Sequence, residues 1–252
     1  MEQFNEAFRK RTNIKQPVSF DTLDEVLKKT AAAIPFENKS ILKQQAPFIN
    51  KEYLSEKLLR NNGGGLCYEL NPLLYHFLKE NGMSVQLIRG TVFDQAEDTW
   101  SKTGNTHVLI LLSHKNEQYV VDTGFGNNLP LTPVPLTGEI VTSENGAFRI
   151  NHHDSEYTLE MNKNNEWKVG YKFSSNDIIS NETELEEIRD IILKSPLSPF
   201  NKKLLITKCE NGMTLTLTES SFIQNKQGEI TKVSLAKFEH INLAKKYFNL
   251  DL

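Results

Sequence analysis

Asn61-Asn62-Gly63-Gly64-Gly65-Leu66-Cys67-Tyr68-Glu69-Leu70-Asn71-Pro72 is the stretch on which the reading of this chain turns. Three successive glycines remove side-chain bulk ahead of the cysteine and open backbone angles that other residues resist. Beyond it, Leu66, Leu70, Leu73, Leu74, Phe77 and Leu78 recur at the helical period, and Gly82 stands where a helix stop is expected. A turn therefore delivers a thiol to the start of an amphipathic helix. Free N–H groups and the helix dipole stabilise a thiolate there, and the thiolate is the nucleophilic form. Read alone, Cys67 is equally a small buried apolar side chain. Pro72 lies beyond the first turn of that helix and predicts a kink or one lost bond.

The rest of the N-terminal third also reads as helical. Leu23, Val26, Leu27, Thr30, Ala31 and Ile34 predict a helix capped by Asp21 and stopped by Pro35. A second is expected over about 51–61, with Tyr53, Leu54, Leu58 and Leu59 as its apolar set. After Gly82 the texture changes to branched residues. Strands are expected over about 85–93, 106–112 and 118–122, the last two forming a hairpin around His114-Lys115-Asn116-Glu117. A proline-rich connection over 129–138 precedes strands near 139–142, 147–152, 156–161 and 166–173. Leu185, Ile188, Ile191 and Ile192 predict the inward face of a helix over 182–194. Strands near 203–209, 213–218 and 229–233 and a helix over about 236–248 complete the chain.

Composition narrows the function classes. The chain has 252 residues and a net charge of −3, with no basic excess to attract nucleic acid or a membrane surface. No run of 18 apolar residues marks a transmembrane helix, and the first residues lack the apolar core of a signal peptide. Cys67 and Cys209 have no metal-ligand spacing and are expected to be free thiols in a reducing, cytoplasmic setting. His152-His153-Asp154 is a weak metal candidate without cysteine support, so no metal site is assigned.

A thiol needs a base, and the base needs an orienting carboxylate. His107 starts the first strand of the hairpin and Asp122 ends the second, so the two should meet at its open end. Separately, His107 reads as a sheet-edge histidine and Asp122 as a turn-starting aspartate. Their pairing by the hairpin, independent of Cys67, is what points to a Cys-His-Asp arrangement.

Four segments together resemble the arylamine N-acetyltransferase family. Pro35-Phe36-Glu37-Asn38 is similar to its Pro-Phe-Glu-Asn motif, and Gly63 to Asn71 to its Arg-Gly-Gly-x-Cys-x-Glu-x-Asn motif. Thr103-Gly104-Asn105-Thr106-His107 is similar to its Thr-Gly-x-x-His segment, and Val121 to Gly126 to Val-Asp-x-Gly-Phe-Gly. The resemblance implies an α+β fold in three parts. These are a helical bundle (1–85) carrying the cysteine, a β-barrel-like domain (86–190) carrying His107 and Asp122, and an α/β lid (191–252). The first two are similar to the core of papain-like cysteine enzymes. It implies acetyl transfer from acetyl-CoA, with no permanently bound cofactor, to the nitrogen of arylamines or arylhydrazines in xenobiotic metabolism. The transfer would be ping-pong, through an acetyl-Cys67 thioester. Thr103 and Gly104 are the candidates for CoA contact, and Phe36 and Phe125 for the acceptor pocket. Phe36 reads also as a core anchor. Glu69 and Asn71 are expected to brace the cysteine turn. The same three residues would also serve peptide or amide hydrolysis or transglutaminase-type transfer, and a non-catalytic binding protein could keep the fold. Gly63 stands where the motif has arginine, so Glu37 is expected to find another partner, Arg60, or water. Thr123, larger than is usual at its position, is expected to have little effect.

Overall fold

The computed structural model describes residues 3–163 and 165–252. Five helices form the N-terminal unit: α1 (Phe4–Thr12), α2 (Leu23–Ala33), α3 (Lys39–Leu42), α4 (Lys51–Leu54) and α5 (Cys67–Glu80). Helix α4 runs on through a widened π turn at Ser55–Arg60. Asp21 does not cap α2. It lies inside a 3₁₀ turn, Phe20–Thr22, and Thr22 Oγ1 takes the Ser19 N–H at 2.9 Å. The apolar face expected for α5 is buried throughout, from Leu66 to Leu78. Each such leucine or phenylalanine contributes about 1.5–3 kcal/mol over leaving it in water. Pro72 stays inside α5, itself buried.

Short strand β1 (Phe36–Glu37) lies between α2 and α3. The main sheet begins after α5 with β2 (Ser84–Asp94), β3 (Thr99–Trp100), β4 (His107–His114), β5 (Glu117–Val121), β6 (Val134–Pro135), β7 (Val141–Ser143), β8 (Gly146–His153), β9 (Glu156–Lys163) and β10 (Glu166–Ile178). Its order is β6-β5-β4-β2-β10-β9-β8-β7, with β3 paired to β2. The sheet curls until β6 approaches β8, a nearly closed barrel around Leu109, Leu111, Phe148, Leu159 and Tyr171. Strand β6 arises within the proline-rich connection, and Pro135 is tolerated because β6 pairs only with β5.

Helix α6 (Glu182–Lys194) returns to the N-terminal helices and buries Leu185, Ile188 and Ile192 among them. Ile191, expected inward, is 40% exposed, whereas Arg189 and Leu193 are buried. The stripe is rotated toward the 189/193 side because Arg189 is held by Asp190 and the Pro47 carbonyl. The chain ends in β11 (Ile206–Glu210), β12 (Met213–Leu217), β13 (Ser221–Lys226), β14 (Glu229–Ser234) and α7 (Glu239–Leu243), which continues in a second π turn, Ala244–Phe248. Strand β13 was not foreseen, since Gln224-Asn225-Lys226 obscures its alternation. These strands form a smaller sheet, β1-β11-β12-β13-β14, covered by Ala244, Phe248 and Leu250. No helix among the described residues is long and apolar enough to cross a membrane.

Candidate active site

Cys67 is the first residue of α5, buried at 6% exposure where the helix meets the barrel. Its loop is held by backbone pairing: Gly65 N donates to Pro35 O at 3.2 Å and Glu37 N to Gly65 O at 3.0 Å. The Cys67 thiol faces the carbonyl of Thr106 at 3.7 Å. His107 follows directly, at the start of β4. Its Nε2 lies 2.8 Å from Asp122 Oδ2, both residues being almost fully buried. The contact is diagonal, because β5 leaves the ladder after Val121 pairs with Ile110 and Asp122 turns inward. With Nε2 on the carboxylate, Nδ1 is the nitrogen left for the thiol. Burial works against a charged His107, but the Asp122 carboxylate and the contact with Cys67 outweigh it and raise its pKa to about 10. The surroundings of His107 thus favour its imidazolium form.

The residues that hold this group were only partly foreseen. Asn71, on α5 one turn after Cys67, donates to Val108 O at 2.6 Å and to Asp122 Oδ1 at 2.8 Å. Its own Oδ1 accepts from Thr123 N at 2.9 Å and Thr123 Oγ1 at 3.2 Å. Thr123, expected to matter little, is thus part of the lock between helix and barrel. Gly124 donates to Asp122 Oδ1 at 2.7 Å, and a Cβ there would lie 2.6 Å from Cys67 Cα. Tyr171 was missed entirely. It is fully buried, its ring 4.7 Å from that of His107. Its hydroxyl lies beside Asp122 without meeting hydrogen-bond geometry to any described residue. Burial, with Asp122 adding, pushes that phenol well above its ordinary range. Nothing local marks Tyr171, because β10 reaches His107 only over β2, the strand that lies between β10 and β4.

Phe125 is half-buried, 5.5 Å from the His107 ring and 4.9 Å from Tyr171. Phe36 is 8% exposed and packs edge-on against Phe200 at 5.7 Å, within the helical core. Thr103 Oγ1 bonds Ser101 Oγ at 2.8 Å and Thr106 Oγ1 at 3.1 Å, and Gly104 turns the chain at φ +70° with open space at its side-chain position. Glu69 Oε2 accepts from Leu66 N at 3.2 Å, and its Oε1 takes Lys57 Nζ at 2.7 Å and Tyr53 OH at 3.0 Å. Glu37 is 1% exposed. Its Oε2 takes the Lys39 N–H, and Oε1 has no hydrogen-bond partner among the described residues. Arg60, the expected partner, is exposed and reaches Glu56 at 3.2 Å. Cys209 is buried apart from this group, and burial, opposed by Lys163, pushes its thiol up to about 12. His152 stacks on Tyr157 at 4.4 Å, and His153 faces Asp154 from the exposed β8–β9 turn.

A buried thiol at a helix start, beside an imidazole held by a carboxylate, is the constellation of a cysteine acyl-transfer enzyme. A family model described as N-acetyltransferase matches residues 19–252, and the chain belongs to the arylamine N-acetyltransferase family of acyltransferases. It is 41% identical over 231 residues to the uncharacterized acetyltransferase YvcN of Bacillus subtilis, covering 90% of each chain. It is 32% identical to the probable arylamine N-acetyltransferase 2 of Dictyostelium discoideum, over 92% of this chain and 87% of that one. Among solved structures it is similar to the NAT3 arylamine N-acetyltransferase of Bacillus cereus, with a TM-score of 0.92, 38% identity and full coverage of both chains. That protein is described as having a Cys-His-Glu triad. In this chain the carboxylate in contact with His107 is that of Asp122.

Proposed function

We propose that this chain transfers the acetyl group of acetyl-CoA to the nitrogen of an arylamine or arylhydrazine by a ping-pong route through an acetyl-Cys67 thioester. Cys67, His107 and Asp122 form the catalytic triad of this reading. The observation that carries it is the buried line from Asp122 through the ring of His107 to the thiol, set where helix α5 begins.

In this reading the Cys67 proton rests on His107, and Asp122 holds the imidazolium in place. The thiolate attacks the carbonyl carbon of the acetyl thioester. The backbone N–H groups of Cys67 and Tyr68, which precede the first bonded turn of α5, steady the developing oxyanion. The carbon–sulfur bond to CoA breaks, and His107 returns a proton to the departing sulfur. The acceptor nitrogen then attacks the acetyl-Cys67 carbonyl. The Cys67 sulfur leaves, and His107 takes the proton released by nitrogen. Acetyl-CoA is consumed as a substrate, and no resident cofactor is required. Phe125, beside His107, fits one wall of an acceptor pocket. The open surface at Gly104, next to Thr103 and one turn before His107, fits a CoA contact. Phe36, bridged to Gly65 and packed on Phe200, fits a support beneath the cysteine loop.

We also retain a division near residues 85 and 190. It is supported by distinct apolar clusters inside the barrel and under the terminal sheet, while the helical cluster takes in Leu87, Val108, Ile110, Leu112 and Val121 from β2, β4 and β5, and α6 bridges back to it. Two free cysteines suit a reducing, cytoplasmic setting.

Incubation with acetyl-CoA alone, followed by intact mass and CoA release, tests the reading. One acetyl group per chain with one equivalent of CoA is expected, both lost in Cys67→Ala. Addition of an arylamine should discharge the acetyl group onto nitrogen. Discharge to acetate at the same rate with and without amine would favour hydrolysis, and no acylation would remove acetyl-CoA as donor.

A further inference from the structure

Lys57 grips the cysteine loop at both of its ends. Its carbonyl accepts Gly63 N at 2.9 Å, and its ammonium reaches Glu69 Oε1 at 2.7 Å. The approach at Gly63 is too close for a side chain: a Cβ there would meet the Lys57 carbonyl at 2.7 Å. The pair is buried, with side-chain exposures of 15% for Lys57 and 3% for Glu69. Glu69 is no bystander to the thiol. Its other oxygen caps Leu66 N, the residue before Cys67, and crowds the space at Gly65. An uncompensated carboxylate at this point would oppose a thiolate two residues away. The side chain that removes that penalty comes from the π turn at Ser55–Arg60, which inserts an extra residue into the helix. Lys57 also lines a cleft of about 370 Å³ together with Glu37, whose Oε1 has no hydrogen-bond partner among the described residues.

We propose that Lys57 is a positioning residue for the Cys67 thiolate. It neutralises the carboxylate that caps the nucleophile's helix, and it ties the glycine loop to the π turn. The proposal rests on the acyl-transfer reading only in taking Cys67 as the nucleophile, and it is tested without acetyl-CoA. The rate of Cys67 alkylation by iodoacetamide, followed by peptide mass, is measured from pH 5 to 10 in the wild type, Lys57→Met, Lys57→Arg and Glu69→Gln. On the acid limb of the profile Lys57→Met is expected to react about threefold to tenfold more slowly, with the profile moved to higher pH, as an unopposed like charge near a partly buried thiolate requires. Glu69→Gln leaves Lys57 unopposed and is expected to move the profile to lower pH. Lys57→Arg should return to within about twofold of the wild type, since it keeps the charge. Should Lys57→Met fail to fold, the opposite shift in Glu69→Gln and the rescue by arginine carry the test. Profiles of Lys57→Met and Glu69→Gln that coincide with the wild type would overturn the proposal, leaving Lys57 as a brace visible only in Tm. Shifted profiles in the variants, beside a wild type that acetyl-CoA fails to acylate, would support Lys57 while removing the acetyl-transfer reading.

Discussion

Asn71 carries more of the site's geometry than any residue that does chemistry in it. One amide satisfies Val108 O, Asp122 and Thr123 in a buried setting, joining helix α5 to the strand ends. Truncation leaves at least two of those groups without a partner. Asn71→Ala is therefore expected to lower stability by about 2–4 kcal/mol, read from the denaturant midpoint, and to slow acylation with it. Gly124→Ala makes a contrasting prediction. The new methyl would press on Cys67 itself, whose Cα and Cβ lie 2.6 and 2.9 Å from the added carbon. Acylation should fall by at least about tenfold through misplacement of the sulfur, with a smaller change in Tm. Glu37→Gln runs the other way. It removes a charge whose Oε1 has no hydrogen-bond partner among the described residues, so Tm should hold or rise.

At the scale of an element, α5 combines a reactive start with a titrating flank. His76 sits between Phe4 and Tyr75 on this helix. Burial, with Lys51 and Lys79 adding, pushes its pKa down to about 4 from the usual 6.5. The folded state therefore binds fewer protons than the unfolded chain between these values. Stability from this group is present above pH 6.5 and lost as pH falls toward 4. His107 has the opposite sign. Its pKa is raised, so its contribution is present below 6.5 and lost as pH rises through about 10. Thermal melts from pH 4 to 7 should fall more steeply for the wild type than for His76→Gln. Equal slopes would show that His76 titrates normally.

Across the whole molecule, the terminal sheet is fastened to the helical unit by the segment that follows α2. Strand β1 pairs with β11 through Phe36–Thr207 and Glu37–Ile206. Asn38, 1% exposed, donates to Phe200 O at 2.7 Å and Lys203 O at 2.8 Å and accepts from Leu205 N at 2.9 Å. Asn38→Ala should orphan these backbone groups and lower Tm by roughly 5–10 °C, from about 2–4 kcal/mol in a chain of this size. Limited proteolysis should then cut near residues 195–205 before it cuts the barrel. Unchanged proteolysis would mean that the sheet is held by its apolar cluster alone.

What the sequence determined by itself is local or repetitive. The period of Leu66 to Leu78 sets the face of α5, and the alternation and turn around His114–Glu117 set the hairpin. That hairpin brings His107 to Asp122 because strand geometry fixes which residues lie at its open end. The four motifs together set the family. Tertiary structure decided contacts between residues far apart in the chain with no period to announce them. Tyr171 reaches His107 only because β2 seats β10 and β4 on its two sides. Thr123 matters only because Asn71 is brought against it. The terminal sheet takes β1 as a fifth strand from the far end of the chain, which makes Phe36-Glu37, with Asn38 beside it, a docking strand. The missing arginine at position 63 is likewise resolved only in space. Its neighbour across the loop is Lys57, whose backbone excludes any side chain at that point while its ammonium reaches Glu69. Periodicity reports which face of an element is buried, but the distance between two side chains depends on how the elements pack.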